Sequence, residues 1–348
     1  MQSLTKPPKL KAGDKIAVVS LSWGGPGAFP ERFEVGKQRL ESEFGLEVRP
    51  SKHALRDPEW VYQNPQARAE DLMEAFLDPY IKGIFSSIGG DDSIRLLPFM
   101  DLKIIAQNPK IFLGFSDTTV THFACLKAGL RSFYGPAVMT TFAENVEMHQ
   151  YSIEGIKRTL FADELIGDWP RSEDGWTKEV LGWENPTNQN IKRKLNPSLP
   201  WNFIGAQNTI QGRLIGGCVE ALQFLNGTPH WPDLGVWADS ILFLETSEEG
   251  PSPTELVRFL RNLAAQRILE KVKGILFSKP GGKSISAAHF VHYDEAILKA
   301  LNEYNLHHIP LVTQMDFGHS DPMWILPYGA LIEINPFEKA VRFLPEKY

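Results

Sequence analysis

Hydrophobic positions along the chain follow two alternating rhythms: short unbroken apolar runs, and longer stretches in which apolar residues recur every three or four places. Lys15-Ile16-Ala17-Val18-Val19-Ser20 is a compact β-branched run that ends in the turn-rich Trp23-Gly24-Gly25-Pro26-Gly27. Residues 30–44 then set Phe33, Leu40 and Phe44 at helical spacing among charges, so the order is strand, loop, helix. The pattern returns as a helix near 66–77 (Ala69, Leu72, Ala75, Phe76), a strand at Gly83–Ile88, another at Ile111–Phe115 and a helix over Thr118–Ala128. Such alternation predicts a parallel sheet with helices on its faces.

Between about 165 and 210 the rhythm fails. Residues 168–202 hold Trp169, Trp176, Trp183 and Trp201 among prolines and polar residues, which reads as a long irregular connection or lid, a kind of loop that is usually functional or disordered. Regular patterning resumes near 209, with strands at Ser240–Glu245 and Val272–Ser278. Ser252-Pro253-Thr254-Glu255 between them forms a capping box, and Leu256, Phe259, Leu260 and Leu263 mark one helix face. The expected organisation is residues 1–165, a connection over 166–208, and a second α/β unit over 209–348.

Composition narrows the class. A chain of 348 residues with 43% hydrophobic residues has material for two ordinary cores. The formal charge of −6 and the lack of any basic block beyond Lys192-Arg193-Lys194 argue against a nucleic-acid polymer as partner. Cys125 and Cys218 sit in apolar sequence as small buried hydrophobes. No apolar segment follows the lysines of the opening residues, and no uncharged run approaches the ~18–20 residues that span a bilayer, so the expectation is no membrane and a cytoplasmic setting.

Four segments carry candidate chemistry. In Gly114-Phe115-Ser116-Asp117-Thr118-Thr119 a serine follows an apolar strand and precedes a helix, where its hydroxyl is exposed at the sheet's carboxyl edge and the first helix amides face any anion formed there. Helix capping by Ser116 or Asp117 explains the same residues, and Thr118 stands where G-x-S-x-G has its second glycine. Gly89-Gly90-Asp91 suits an oxyanion hole or a plain turn. Glu245 ends an apolar strand, placed either to accept from an imidazole or simply to face solvent, and His319 lies in the Gly/Pro-bounded loop Asp316–Pro322. Spacing weighs against metal and phosphate chemistry: His289-Phe290-Val291-His292 lacks H-E-x-x-H, and Phe277 stands where a phosphate loop ending at Gly282-Lys283-Ser284 needs glycine. No cofactor or metal is expected.

Taken in order, Pro8–Asp14, Gly89–Ser93, Gly114–Thr119, Tyr134-Gly135-Pro136, Gly212–Gly217, Ile241–Glu245 and Gly318–Pro322 resemble the serine LD-carboxypeptidase family, including its microcin-C-immunity branch. The resemblance implies a flavodoxin- or Rossmann-like amino-terminal domain and a second, swivelling-barrel-like α/β domain. It implies a metal-independent serine peptidase that works as a homodimer, with nucleophile Ser116, base His319 and orienting acid Glu245. The Asp117 amide and the Gly89-Gly90-Asp91 turn would supply the oxyanion donors. The tryptophan-rich insert favours a peptide–nucleotide substrate, with Trp176, Trp183 and Asn185 as candidates for binding it. The alternatives are an LD-carboxypeptidase that releases D-alanine from a murein tetrapeptide, and a non-catalytic protein that binds a peptide or nucleotide in the same cleft.

Overall fold

The computed structural model describes residues 3–205 and 208–346. Its strands in chain order are β1 (Lys15–Val19), β2 (Glu47–Pro50), β3 (Ile81–Ser86), β4 (Ile111–Gly114), β5 (Phe133–Tyr134), β6 (Gly167–Asp168) and β7 (Asn202–Ile204), followed by β8 (Ile210–Cys218), β9 (Ser240–Glu245), β10 (Gly274–Ser278), β11 (Leu311–Met315), β12 (Leu326–Pro327), β13 (Leu331–Asn335) and β14 (Ala340–Phe343). Among the described residues they make a six-stranded sheet in the order β12-β5-β4-β3-β1-β2 and an eight-stranded sheet in the order β6-β14-β13-β8-β9-β10-β11-β7. The first sheet is parallel except for β12, and the second is parallel through β8-β9-β10-β11 with antiparallel flanks. This is the mixed α/β architecture that the alternating pattern predicts.

The apolar runs explain where the strands sit. Every residue of β4, β9 and β10 is buried, as befits strands covered on both faces. The helix Pro30–Phe44 buries Phe33, Leu40 and Phe44 and ends at Gly45, whose left-handed φ of 66° lets its N–H return to the Glu41 and Leu40 carbonyls. The capping box forms as expected: Ser252 Oγ accepts from the Glu255 N–H at 3.3 Å, and Glu255 Oε2 accepts from the Ser252 N–H at 2.6 Å. Cys125 and Cys218 are free and buried. Among the described residues no helix is long and apolar enough to cross a membrane.

The irregular connection is more structured than its texture predicts, because both of its ends enter the second sheet. β6 pairs with β14 and β7 with β11, so the connection supplies the two outermost strands. Its middle is pinned to the loop that carries His319: the Thr177 and Asp321 backbones exchange hydrogen bonds of 2.7 and 2.9 Å, and the Arg193 guanidinium donates to Asp321 Oδ2 at 2.7 Å. Parallel strands deliver their following loops at their carboxyl ends. The loops after β3, β4, β9 and β11 therefore converge where the two sheets meet.

Candidate active site

Ser116 follows β4 through an extended Phe115 and adopts φ 63°, the left-handed region that a side chain enters only at a cost of about 1–3 kcal/mol. The surroundings hold it there. Its N–H donates to the Tyr134 hydroxyl at 3.0 Å, and its carbonyl accepts from Thr119 Oγ1 at 2.7 Å at the start of the helix Thr119–Lys127. Ser116 is not acting as a side-chain cap of that helix. Asp117 ties this turn to the one after β3, because its Oδ2 accepts from the Ser93 N–H at 2.9 Å and its carbonyl from Ser93 Oγ at 2.8 Å. Burial pushes the Asp117 carboxyl up, against the bonds from Ser22 and Ser93.

The Gly89-Gly90-Asp91 turn lies directly against the serine. A Cβ at Gly89 would stand 3.0 Å from Ser116 Cβ and 3.2 Å from its Oγ, so any larger residue here would press on the serine. The Gly89 carbonyl accepts from the Trp23 N–H at 3.2 Å, and among the described residues the Gly90 and Asp91 amides donate to no protein group. Buried Arg68 braces the turn through Asp92, at 2.7 and 3.1 Å.

Glu245 ends β9 fully buried, with both oxygens committed. Oε1 accepts from the Tyr134 hydroxyl at 2.5 Å and Oε2 from His319 Nδ1 at 2.6 Å. Close approach at Gly318 makes the second contact possible: at φ 78°, a Cβ there would fall 2.7 Å from Glu245 Cβ. The His319 ring also packs on Phe115, with centroids 4.9 Å apart.

Ser116 and His319 line one cavity of about 860 Å³, but among the described residues no hydrogen bond joins the hydroxyl to the imidazole. His319 Nε2 instead faces Glu248 Oε2 at 3.0 Å. Burial disfavours charge on the ring, yet Glu245 and Glu248 outweigh it and hold the imidazole pKa well above its ordinary value, while His319 holds the Glu248 carboxyl down to about 2. The carboxylate–imidazole pair is thus formed, and the other ring nitrogen is occupied by an exposed glutamate.

The three candidate substrate-binding residues separate. Trp183 lines the cavity, with the Arg32 guanidinium 4.6 Å over its ring and Phe29 edge-on at 5.7 Å. Trp176 does not line it: this ring is buried against Phe290, centroids 5.4 Å apart, because its backbone pairs with Asn196 inside the connection. Asn185 borders a neighbouring cavity and caps a short 3-10 turn by accepting from the Thr187 N–H. Among the described residues no group of three or more His, Cys, Asp or Glu is placed to hold a metal ion. Sequence reasoning missed the roles of Tyr134 and Glu248. Tyr134 lies within a quoted motif and Glu248 follows Glu245 by three places, but only folding reveals what either one touches.

Comparison with known proteins places the chain as a whole. Residues 16–135 match the LD-carboxypeptidase N-terminal domain and residues 211–334 the LD-carboxypeptidase C-terminal domain. The microcin C7 self-immunity protein MccF of Escherichia coli is 28% identical over 97% of this chain and 95% of its own length. A probable murein peptide carboxypeptidase of Bacillus subtilis is 26% identical over 96% of this chain and 94% of its own. The crystal structure of an MccF-like protein from Streptococcus pneumoniae in complex with AMP superposes with a TM-score of 0.85 at 31% identity, covering 95% of this chain and 98% of that one. With both domain models matched in order, the chain belongs to the LD-carboxypeptidase family of peptidases.

Proposed function

We propose that the protein is a metal-independent serine hydrolase that cleaves an amide at the end of a small peptide, with residues 1–165 supplying Ser116 and residues 209–348 supplying Glu245 and His319. The observation that carries this reading is the strained Ser116 facing the same cavity as an imidazole held at 2.6 Å by a buried carboxylate. Exposed Glu248 swings off when substrate enters, and Nε2 gives up its proton to solvent, which leaves the ring neutral. Neutral His319 then takes the Ser116 proton as Oγ bonds to the acyl carbon, and the amides of Asp117, Gly90 and Asp91 receive the developing oxyanion. The imidazolium passes that proton to the leaving nitrogen as the C–N bond breaks. Water, deprotonated by the same nitrogen, then attacks the acyl carbon, and the imidazolium returns that proton to Ser116 Oγ as the Oγ–C bond breaks. Glu245 keeps Nδ1–H fixed throughout.

The favoured substrate is a peptide–nucleotide conjugate. Trp183 supports it, being an aromatic ring on the cavity wall with the Arg32 guanidinium over it, a pair suited to hold a base. The murein relative supports the second reading, release of D-alanine from a tetrapeptide. Product analysis by mass spectrometry with an aminoacyl-nucleotide amide beside a muropeptide tetrapeptide separates them: free nucleotide amine marks the first, one lost D-alanine the second. Ser116→Ala is expected to fold normally and lose at least ~10³-fold in turnover. Retained turnover in that variant excludes the covalent route. A binding-only protein would show neither turnover nor labelling of Ser116 by a phosphonate. The same reading carries a homodimer in the cytoplasm, the first part checked by mass in solution.

A further inference from the structure

Two cavities meet at Ser116. The larger contains His319 together with Arg32, Lys178, Arg193 and Lys283, so it mixes cations with its acids. The smaller, about 460 Å³, shares Gly90, Asp91, Ser116, Glu248 and Glu249 with the first but extends the other way, to Cys218, Glu220 and Glu255. Among the described residues no lysine, arginine or histidine lines it.

The reaction assigns the two cavities. The group that leaves must receive its proton from His319, and His319 lines only the larger cavity, so the leaving amine lies there. The acyl carbon sits on Ser116 Oγ, and the side chain it carries has the smaller cavity to enter. What that cavity accepts is set by its charge. Glu220 stands at the wall with Oε1 accepting from the Ser247 N–H at 2.8 Å and from the Ser247 hydroxyl, and Oε2 from Cys218 Sγ at 3.3 Å. These are neutral donors. Among the described residues neither Glu220 nor Glu249 takes part in an ion pair, and His319, on the wall of the larger cavity, is already shared between Glu245 and Glu248.

We infer that the acyl side of the site selects a residue bearing a primary ammonium or guanidinium, with Glu220 and Glu249 as its specificity-determining residues. The inference rests on the serine-hydrolase reading for the position of the acyl group. A cation in the smaller cavity finds acids without counter-charges: burial and nearby Glu245 push the Glu220 carboxyl up, and an arriving cation favours its charged form in a partly enclosed site, where charge interactions are screened less than in water. An acyl carboxylate meets the same field with the opposite sign. Glu248 borders both cavities, so an arriving cation also competes with His319 for it and releases Nε2 for the serine.

The test is a substrate series that varies acyl charge and leaving group separately. Lysyl, glutaminyl and glutamyl compounds of matched length are prepared both as AMP phosphoramidates and as dipeptides ending in D-alanine, and kcat/KM is measured for each. The expected order is lysyl above glutaminyl above glutamyl, with the outer pair at least ~30-fold apart, and Glu220→Gln with Glu249→Lys reducing or reversing that spread. Affinity of the same six compounds for Ser116→Ala reads the cavity without turnover and is expected in the same order. Equal rates across the three acyl groups, or a glutamyl preference, overturn the inference while Ser116-dependent turnover preserves the hydrolase reading. Absence of turnover, of binding and of phosphonate labelling overturns both. The leaving group that works decides between nucleotide and D-alanine substrates and leaves the acyl order untouched.

Discussion

In the proposed mechanism His319 is the residue on which the chemistry turns, and its neighbours pull its proton in a direction that opposes that work. A general base must be neutral, yet the ring lies between Glu245 at 2.6 Å and Glu248 at 3.0 Å, which together hold its pKa above the ordinary imidazole range despite burial. The acid limb of kcat/KM, which reports the free enzyme, is therefore expected on the alkaline side of an unperturbed histidine. Glu248→Gln removes one of the two carboxylates that favour the imidazolium, so the limb moves toward lower pH. Tyr134→Phe moves it the other way: without the 2.5 Å donation from Tyr134, the charge on Glu245 is less dispersed and binds the imidazolium more strongly. The same variant strips the Ser116 N–H of its acceptor, an unmade buried bond worth roughly 1–3 kcal/mol, and a turnover loss of about 10–100-fold at unchanged KM is expected. Opposite displacements in pH–rate profiles of the two variants check the account. A purely structural role for Tyr134 would lower the amount of folded enzyme without moving the limb.

At the level of elements, legibility tracked length. The helix Pro253–Ala265 was readable because thirteen residues repeat one apolar face and Ser252 with Glu255 mark its start. Its box predicts a measurable cost: Ser252→Ala removes the bond to the Glu255 N–H and is expected to destabilise by about 1 kcal/mol, lowering Tm by roughly 2 °C in a thermal melt. An unchanged Tm would mean that the first turn is held by packing alone. β5, β6 and β12 are two residues each, too short to show an alternating period, and they take strand form only because a neighbour offers its backbone: β4 for β5, β14 for β6, and β5 in turn for β12. Trp176 and Trp183 are alike as letters. Their fates differ because one lies where the chain bridges Asn196 and packs on Phe290, and the other lies beside Phe29 and Arg32 at the cavity wall.

Over the whole molecule, the motifs named the candidate groups in advance, but their convergence depends on two sheets that do not close independently. β12, far along the chain, pairs with β5 through Leu326↔Tyr134 and Pro327↔Phe133 and so completes the first sheet. The residues before it go with it: Ile325 is buried in the same core as Phe85, Ile111 and Phe133, the Trp324 ring packs 5.1 Å from Tyr151, and Met323 exchanges backbone bonds of 3.1 and 3.2 Å with Ser152 Oγ. Arg131 adds a paired contact to Glu346 at 2.8 and 2.9 Å. Residues 1–165 alone would leave the β5 edge unpaired and uncover that core, an arrangement that favours aggregation over folding. Calorimetry of the full chain is therefore expected to give one cooperative transition with a van't Hoff to calorimetric enthalpy ratio near ~1, and the isolated 1–165 fragment to show none. Two resolved transitions, with the fragment reproducing one of them, would mean that the seam between Ser116 and His319 is a docking surface between separately stable units, and Ser116 would then be expected to keep its strained φ in the fragment on its bonds to Tyr134 and Thr119 alone.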